Sequence, residues 1–303
     1  MTALKPAYRG RFAPSPTGPL HFGSLVAAVG SLLEARTRHG EWHLRMEDVD
    51  APRCSAAAAG EILRVLEACG FAWDGEIVWQ SRRGEAYAAA LERLKAAGRV
   101  FPCACTRREL ADSAIAPDGA AIYPGTCRSG LAPGRTARAW RLRVDDARVG
   151  FDDAIQGRIV SELARDAGDF ILLRADGLFA YQLAVVVDDA EAGITHVVRG
   201  ADLLASTSRQ IYLQQCLGVP TPDYAHLPVV VNAAGEKLSK QTRAAPVDSA
   251  RPGPALFAAL KFLGQRPPAE LSAAPVAELW AWAMANWRLA AVPRGPAPMA
   301  ESG

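Results

Sequence analysis

The chain has 303 residues, enough for about two compact units, and 50% of them are apolar, which supports a sizeable core and excludes disordered and fibrous classes. Lys and Arg number 34 against 32 for Asp and Glu, a net charge of +2, so any nucleic-acid partner must be held by a local patch. No apolar run approaches the roughly 18 residues of a membrane span, and the start, Met1 to Tyr8, lacks the apolar stretch of a signal peptide, so a cytoplasmic protein with no membrane partner is expected.

In chain order, Arg9 to Leu20 reads as a strand and a Pro/Gly loop. From His21-Phe-Gly-Ser24 onward, Leu25, Val26, Val29, Leu32 and Leu33 recur at helical spacing. Trp42, Leu44 and Met46 alternate with polar neighbours, the period of a strand, which puts Glu47 near its carboxyl end. A helix with Ile62, Val65, Leu66 and Cys69 inward closes at Gly70, and another carries Tyr87, Leu91 and Leu94 before Gly98. This alternation is α/β. From Phe101 to about Asp169 the texture changes to clustered cysteines, Pro/Gly turns and short strands at Trp140 to Val144 and Phe151 to Ile155, so an inserted module over 101–169 is expected. Phe170 to Arg174, the turn at Asp176-Gly177 and Leu178 to Val187 suggest a hairpin. A strand from Ile194 to Arg199, a helix from Ser206 to Leu217 and a strand from Leu227 to Val231 restore the α/β pattern through residue 245. Two helical stretches, Ala255 to Leu263 and Val276 to Trp287, fill a short C-terminal region over 246–303.

Three constellations carry chemistry. The loop and helix start from Arg11 to Ser24 offer free N–H groups, a positive dipole end and the small residues Gly18 and Gly23, a natural phosphate site. Taken alone, it is equally a structural turn, with His21 as a cap. Gly235-Glu-Lys237-Leu-Ser-Lys240-Gln241 places two lysines about Ser239 after an apolar strand, which alone describes any solvated loop. Cys103, Cys105 and Cys127 cluster among six cysteines, whereas Cys69 and Cys216 sit at helix ends as small buried hydrophobes. Three thiolates suit Zn2+, and a closed structural site needs a fourth donor, for which Glu109, Asp112 or water are available. Basic residues at Arg82-Arg83, Arg107-Arg108, Arg128 and Arg135 to Arg143, near Trp79 and Trp140, form a strip that either contacts RNA or is simply solvated.

Together, the His21-Phe-Gly-Ser24 and Lys237-Leu-Ser-Lys240 stretches resemble the two signature motifs of class I aminoacyl-tRNA synthetases. Arg11 to Gly18, Arg45-Met-Glu-Asp-Val-Asp50, Tyr181 to Asp189 and Ile194 to Leu204 further resemble the glutamyl-tRNA synthetase catalytic core. Ser24 stands where the first motif ends in a second His, and Leu238 and Gln241 replace Met and Ser in the second. The chain ends about sixty residues beyond the lysine loop, leaving no room for anticodon-binding domains. With Cys-x-Cys, this form is similar to the glutamyl-queuosine tRNA(Asp) synthetases.

The resemblance implies a Rossmann-type parallel sheet over 1–245, an inserted zinc-bearing module, a small helical C-terminal part and a monomer. It implies activation of L-glutamate by ATP with Mg2+, then transfer to queuosine of tRNA(Asp). His21, Gly23 and Lys240 would hold ATP, and Lys237 and Lys240 would neutralise developing phosphate charge. Arg11 and Arg199 would hold the glutamate carboxylates, Glu47 the ammonium, and Tyr181 would close a pocket that also includes Ala13 and Ser15. The family places a tyrosine at the fourth zinc position, here Tyr123. Other readings are a minimal enzyme charging tRNA(Glu), or a catalytically dead RNA-binding paralogue. A proton acceptor for transfer is left open among the adenylate phosphate, Asp48, Asp50, Asp188 and Asp189.

Overall fold

A computed structural model describes residues 7–116, 119, 121–232 and 245–298. Strand β1 (Arg9–Phe12), helix α1 (Phe22–Arg36) and strand β2 (Glu41–Met46) form the first unit, followed by α2 (Ala56–Ala68), β3 (Val78–Trp79) and α3 (Gly84–Ala96). Strands β1, β2 and β3 pair in parallel, Arg11 opposite His43 and Met46 opposite Trp79. The next stretch holds β4 (Val100–Cys103), β5 (Ala139–Leu142), β6 (Arg148–Asp153), β7 (Gly157–Glu162), a one-turn α4 (Leu163–Asp166) and β8 (Ile171–Leu173). Helix α5 (Tyr181–Glu191), β9 (His196–Gly200), α6 (Leu204–Leu217), β10 (Asp223–Leu227) and β11 (Val230–Val231) complete the sheet region. Helices α7 (Pro252–Phe262) and α8 (Val276–Asn286) and strand β12 (Ala297–Pro298) close the chain, β12 pairing with β11.

A second sheet runs β7-β6-β10-β9, with β6, β10 and β9 parallel and β7 antiparallel to β6. It abuts the first along β1 and β9. Thr195 N–H donates to the Arg9 carbonyl at 2.9 Å, and Arg9 N–H donates to Thr195 Oγ1 at 2.9 Å. From β1 the chain travels outward through α1 to β2, and from β9 it travels the other way through α6 to β10. The strand order therefore reverses between β1 and β9. In an open α/β sheet such a reversal leaves a crevice at the carboxyl ends of the strands, where ligands bind.

Strand alternation divides the molecule into two faces. Trp42, Leu44, Met46, Val198, Ala225 and Leu227 join one core with Leu25, Val29 and Leu33 of α1, Ile62 and Leu66 of α2, Leu256 and Leu260 of α7 and Leu279 of α8. Val197 and Tyr224 join the other, with Leu91 and Leu94 of α3, Leu183 and Val186 of α5 and Ile211 and Leu213 of α6. Helix α1 approaches β10 so closely that a Cβ on Gly30 would lie 2.7 Å from a Leu227 methyl. The C-terminal helices are tied to the first core by polar contacts too: Trp280 Nε1–H donates to the Cys69 carbonyl at 2.8 Å, and Trp287 Nε1–H to Glu34 Oε2 at 2.7 Å.

Two sequence-based elements differ from what is observed. The turn at Gly177 forms, and Leu173 bridges Phe179, but the expected returning strand from Leu178 is instead helix α5. Leu183 to Asp189 are buried on every side. A helix wrapped all round by protein has no polar stripe, so its Val-rich run reads as a strand. The strand expected over Leu227 to Val231 ends instead at Leu227 and restarts at Val230, because Pro228 has no N–H for the ladder.

Candidate active site

The crevice between β1 and β9 holds a cavity of about 820 Å3, lined by Arg11, Ala13, Ser15, His21, Gly23, Glu47, Tyr181 and Arg199. Residues 13–19 form a loop that lies over the end of β2. Glu47 N–H donates to the Pro14 carbonyl at 2.9 Å, and Ser55 N–H to the Pro16 carbonyl at 3.0 Å. His21 caps α1, its Nδ1 accepting from Ser24 N–H at 3.3 Å, while its Nε2 lies 3.2 Å from Ser24 Oγ. A side chain on Gly23 would stand 3.3 Å from that imidazole. The α1 N-terminus thus faces the cavity, and its dipole favours an anion there. Lys237 and Lys240 lie outside the described residues.

The charged side chains occupy the sheet face that meets α5. Arg11 and Arg45 both grip Asp189 of α5, with Arg11 Nε at 3.2 Å and Arg45 Nη1 at 2.5 Å from Oδ1. Arg45 Nη2 reaches Glu47 Oε1 at 3.1 Å, so one arginine links the two carboxylates. Burial alone would raise Asp189, but the charges of Arg11 and Arg45 hold it down at about 2. Burial pushes Glu47 above the usual carboxylate range, against the pull of Arg45 and Arg11. Asp188 shares Arg45, whose Nε lies 3.8 Å away, and is otherwise held by Tyr87 OH at 2.9 Å, Gln80 Nε2 at 2.7 Å and Arg83 Nε at 2.6 Å. Both aspartates are thus held by buried partners on neighbouring elements. Asp48 holds Ser81 Oγ at 2.7 Å, and Asp50 pairs with Arg174 at 3.1 Å.

Arg199 projects from β9 on the same face. Its Nη2 donates to Thr207 Oγ1 at 2.9 Å and to Gln210 Oε1 at 2.8 Å, and its Nη1 lies 3.5 Å from Tyr181 OH. Burial, followed by the charge of Glu47, raises Tyr181, keeping its hydroxyl a neutral donor. Two guanidinium groups and one carboxylate therefore line a single cavity. That set matches a ligand with two carboxylates and an ammonium.

The cysteine cluster lies at the end of β4. Cys103, Cys105 and Cys127 place their sulfurs within 4.8 Å of one another, with Cys105 and Cys127 at 3.6 Å. Tyr123 OH is 3.6 Å from Cys103 Sγ and 3.5 Å from Cys105 Sγ. Tetrahedral zinc with bonds of about 2.3 Å to sulfur and 2.0 Å to oxygen would set sulfurs roughly 3.8 Å apart and oxygen about 3.5 Å from sulfur. The four residues fit that ion. Glu109 is engaged elsewhere, by Thr106 N–H and Arg135 Nη1 at 2.7 Å each, and Asp112 is exposed. The local core is small: among the described residues, Phe101, Ala104 and Ala139 are buried with Cys103, Tyr123 and Cys127, while Cys105 is half-buried.

Much of the basic strip is internally neutralised. Arg128 pairs with Asp145 and Asp169, Arg135 with Glu109, and Arg83 with Asp188 and Glu191. Arg141 is buried over the Tyr123 ring, whereas Arg107, Arg108 and Arg138 are exposed. Residues of the site that were unassigned from sequence are Arg45, Thr207, Gln210, Asp153 and His226, and Asp189 was named only as a possible proton acceptor, not as the partner of two arginines. Arg45 and Glu47 share a strand face by their spacing of two, and paired acids in an apolar run were a readable sign of buried ion pairs.

This fold and site define a class I synthetase. The model of the class I tRNA synthetases (E and Q), catalytic domain, matches residues 7–252, and the chain belongs to that family. It is 65% identical over 289 residues to the Glutamyl-Q tRNA(Asp) synthetase of Aromatoleum aromaticum, covering 95% of this chain and 91% of that one. Its identity to the Glutamyl-Q tRNA(Asp) synthetase of Dechloromonas aromatica is 63%, covering 95% and 96%. The glutamate-tRNA synthetase structure from Elizabethkingia anophelis shares the fold, with a TM-score of 0.80 at 24% identity over 97% of this chain and 68% of that chain. Among the described residues, no helix is long and apolar enough to cross a membrane.

Proposed function

We propose that this cavity activates L-glutamate with ATP to glutamyl-adenylate and passes the glutamyl group to the queuosine of tRNA(Asp). One observation carries the reading: Arg11, Arg199, Glu47 and Tyr181 line one cavity with the N-terminus of α1. Glutamate enters with its carboxylates toward Arg11 and Arg199 and its ammonium toward Glu47. ATP, with Mg2+ as part of the substrate, places its phosphates by His21, Gly23 and the α1 N-terminus. A glutamate α-carboxylate oxygen attacks the α-phosphorus and pyrophosphate departs, so the protein contributes position and charge neutralisation rather than a nucleophile. In the second step a queuosine hydroxyl attacks the acyl carbon, AMP departs, and the AMP phosphate takes the proton.

In this reading residues 1–245 carry the chemistry, the expected 101–169 insertion narrows to the part before β6, because β6 and β7 join the sheet beside β10, and α7 and α8 brace α1. Cys103, Cys105, Tyr123 and Cys127 hold a structural zinc, and exposed Arg107, Arg108 and Arg138 meet RNA phosphates. The test offers protein, ATP, Mg2+ and labelled glutamate to tRNA(Asp) with and without queuosine, and to tRNA(Glu). Label on queuosine-bearing tRNA(Asp) alone is expected. Label on tRNA(Glu) favours a charging enzyme, and absence of glutamate-dependent ATP–pyrophosphate exchange sinks the reading.

A further inference from the structure

Beneath Arg199 lies a buried polar chain that the reaction does not itself consume. Asp153 ends β6, and its Oδ1 accepts backbone N–H groups from Ile155 at 3.0 Å, Gln156 at 2.8 Å and His226 at 3.1 Å. Its Oδ2 lies 2.6 Å from His226 Nδ1, and both side chains are fully buried. His226 of β10 stands directly opposite Arg199 of β9 in the parallel register. Its Nε2 is 3.1 Å from Arg199 Nε.

Valence fixes the protons along this chain. An ionised carboxylate only accepts, so Nδ1 of His226 must carry the hydrogen facing Asp153. A guanidinium only donates, so Nε2 must present its lone pair to Arg199 Nε–H. Burial, working against Asp153, holds the imidazole's affinity for a second proton below its ordinary value. Asp153 is itself lowered, because hydrogen bonds from His226 and Gln156 outweigh its burial. Thr207 Oγ1 and Gln210 Oε1 hold Nη2, so three fixed acceptors define the plane of the guanidinium. Its Nη1 edge remains toward Tyr181 and the cavity.

We infer that Asp153 and His226 are a positioning pair, which fixes the tautomer and the guanidinium plane that Arg199 presents to a substrate carboxylate. The inference rests on Arg199 being a glutamate anchor. It assigns to β6, within the 101–169 stretch, a part in amino-acid recognition as well as in the sheet.

Amide variants separate the two ring nitrogens. In His226→Gln the amide oxygen replaces the Nε2 acceptor, whereas in His226→Asn the shorter amide reaches only the Nδ1 position. Asp153→Asn is isosteric but offers an N–H to Nδ1, which puts the ring hydrogen on Nε2, where it opposes Arg199 Nε–H and turns to Thr207 Oγ1, 3.0 Å away, for an acceptor. Glutamate-dependent ATP–pyrophosphate exchange should show the glutamate KM raised about ten-fold or more in His226→Asn and Asp153→Asn. The ATP KM should stay within about two-fold, and His226→Gln should recover most of the glutamate affinity. Parallel loss of ATP and glutamate affinity, or equal behaviour of the Gln and Asn variants, overturns the inference as merely structural. Arg199→Ala, run beside them, isolates the underlying reading. An unchanged glutamate KM there removes Arg199 as the anchor, while a raised one with normal His226→Asn and Asp153→Asn removes only the positioning pair. Nitrogen NMR of the unaltered protein supplies a direct check, since a protonated Nε2 on His226 contradicts the assignment.

Discussion

The cavity between β1 and β9 and the cysteine cluster solve opposite problems. In the cavity, charges are abundant and buried, and each is held by a second charge or hydrogen bond from a distant element, as Arg11 and Arg45 are by Asp189. Around the cysteines, apolar burial is scarce, and a few side chains converge on a point of the right size for an ion. The first arrangement stands without its ligands, because its charges neutralise one another. The second has three sulfurs and a phenol facing one another, an arrangement that a cation completes. Order in one comes from the chain, and in the other, on the proposed reading, from an ion.

The largest test of that contrast is metal removal. Structural zinc contributes roughly 10 kcal/mol to a small site, so a chelator should expose 104–138 to protease while glutamate-dependent pyrophosphate exchange survives. The measurement is limited proteolysis beside exchange rate, and simultaneous loss of both breaks the comparison.

A smaller effect is expected from the cavity's own ion pairs. Asp189 is held at about 2 in the folded protein, below the ordinary aspartate value of 3.8. The folded state then binds fewer protons than the unfolded chain through this interval. Its contribution is complete above about pH 4 and is lost as pH falls toward 2, with a slope of at most about 1.4 kcal/mol per pH unit. Asp189→Asn should flatten the acid limb of stability measured by urea titration, and should also destabilise at neutral pH by roughly 3–5 kcal/mol, because buried Arg11 loses the carboxylate it grips and Arg45 keeps only Glu47 and Asp188. An unchanged acid limb would falsify the assignment.

The smallest effect concerns His21, which caps α1 and lines the cavity at once. His21→Asn keeps a capping side chain, so melting should move by less than about 1 kcal/mol in equivalent stability. Exchange at limiting ATP should still fall. Equal losses in stability and exchange would reduce His21 to a cap.

How much of this was legible follows from sequence distance. Strands β1 and β2 and helices α1 to α3 announced themselves through local period, as did the class I signatures on the loop and α1. The partners that aim the arginines did not. Asp189 lies 178 residues from Arg11 and 144 from Arg45, and no local pattern joins them. Helix α5 was unreadable for a related reason: enclosed on all sides, it has no amphipathic stripe, and its valines speak for a strand. The cysteine cluster was visible because its ligands are near in sequence, and the phenol of Tyr123 required family knowledge rather than spacing.

The pairing of Cys103 with Ala139 across β4 and β5 has a consequence for modularity. The two ends of the intervening segment stand side by side, so 104–138 is a cassette whose removal leaves a gap that a tight turn can close. Strands β6 and β7 are not part of that cassette, since β6 pairs with β10 and delivers Asp153 to His226. A chimera exchanging this segment between relatives would therefore be cut at the β4–β5 ladder, and a cut that carried β6 away would remove the partner of His226 beneath Arg199.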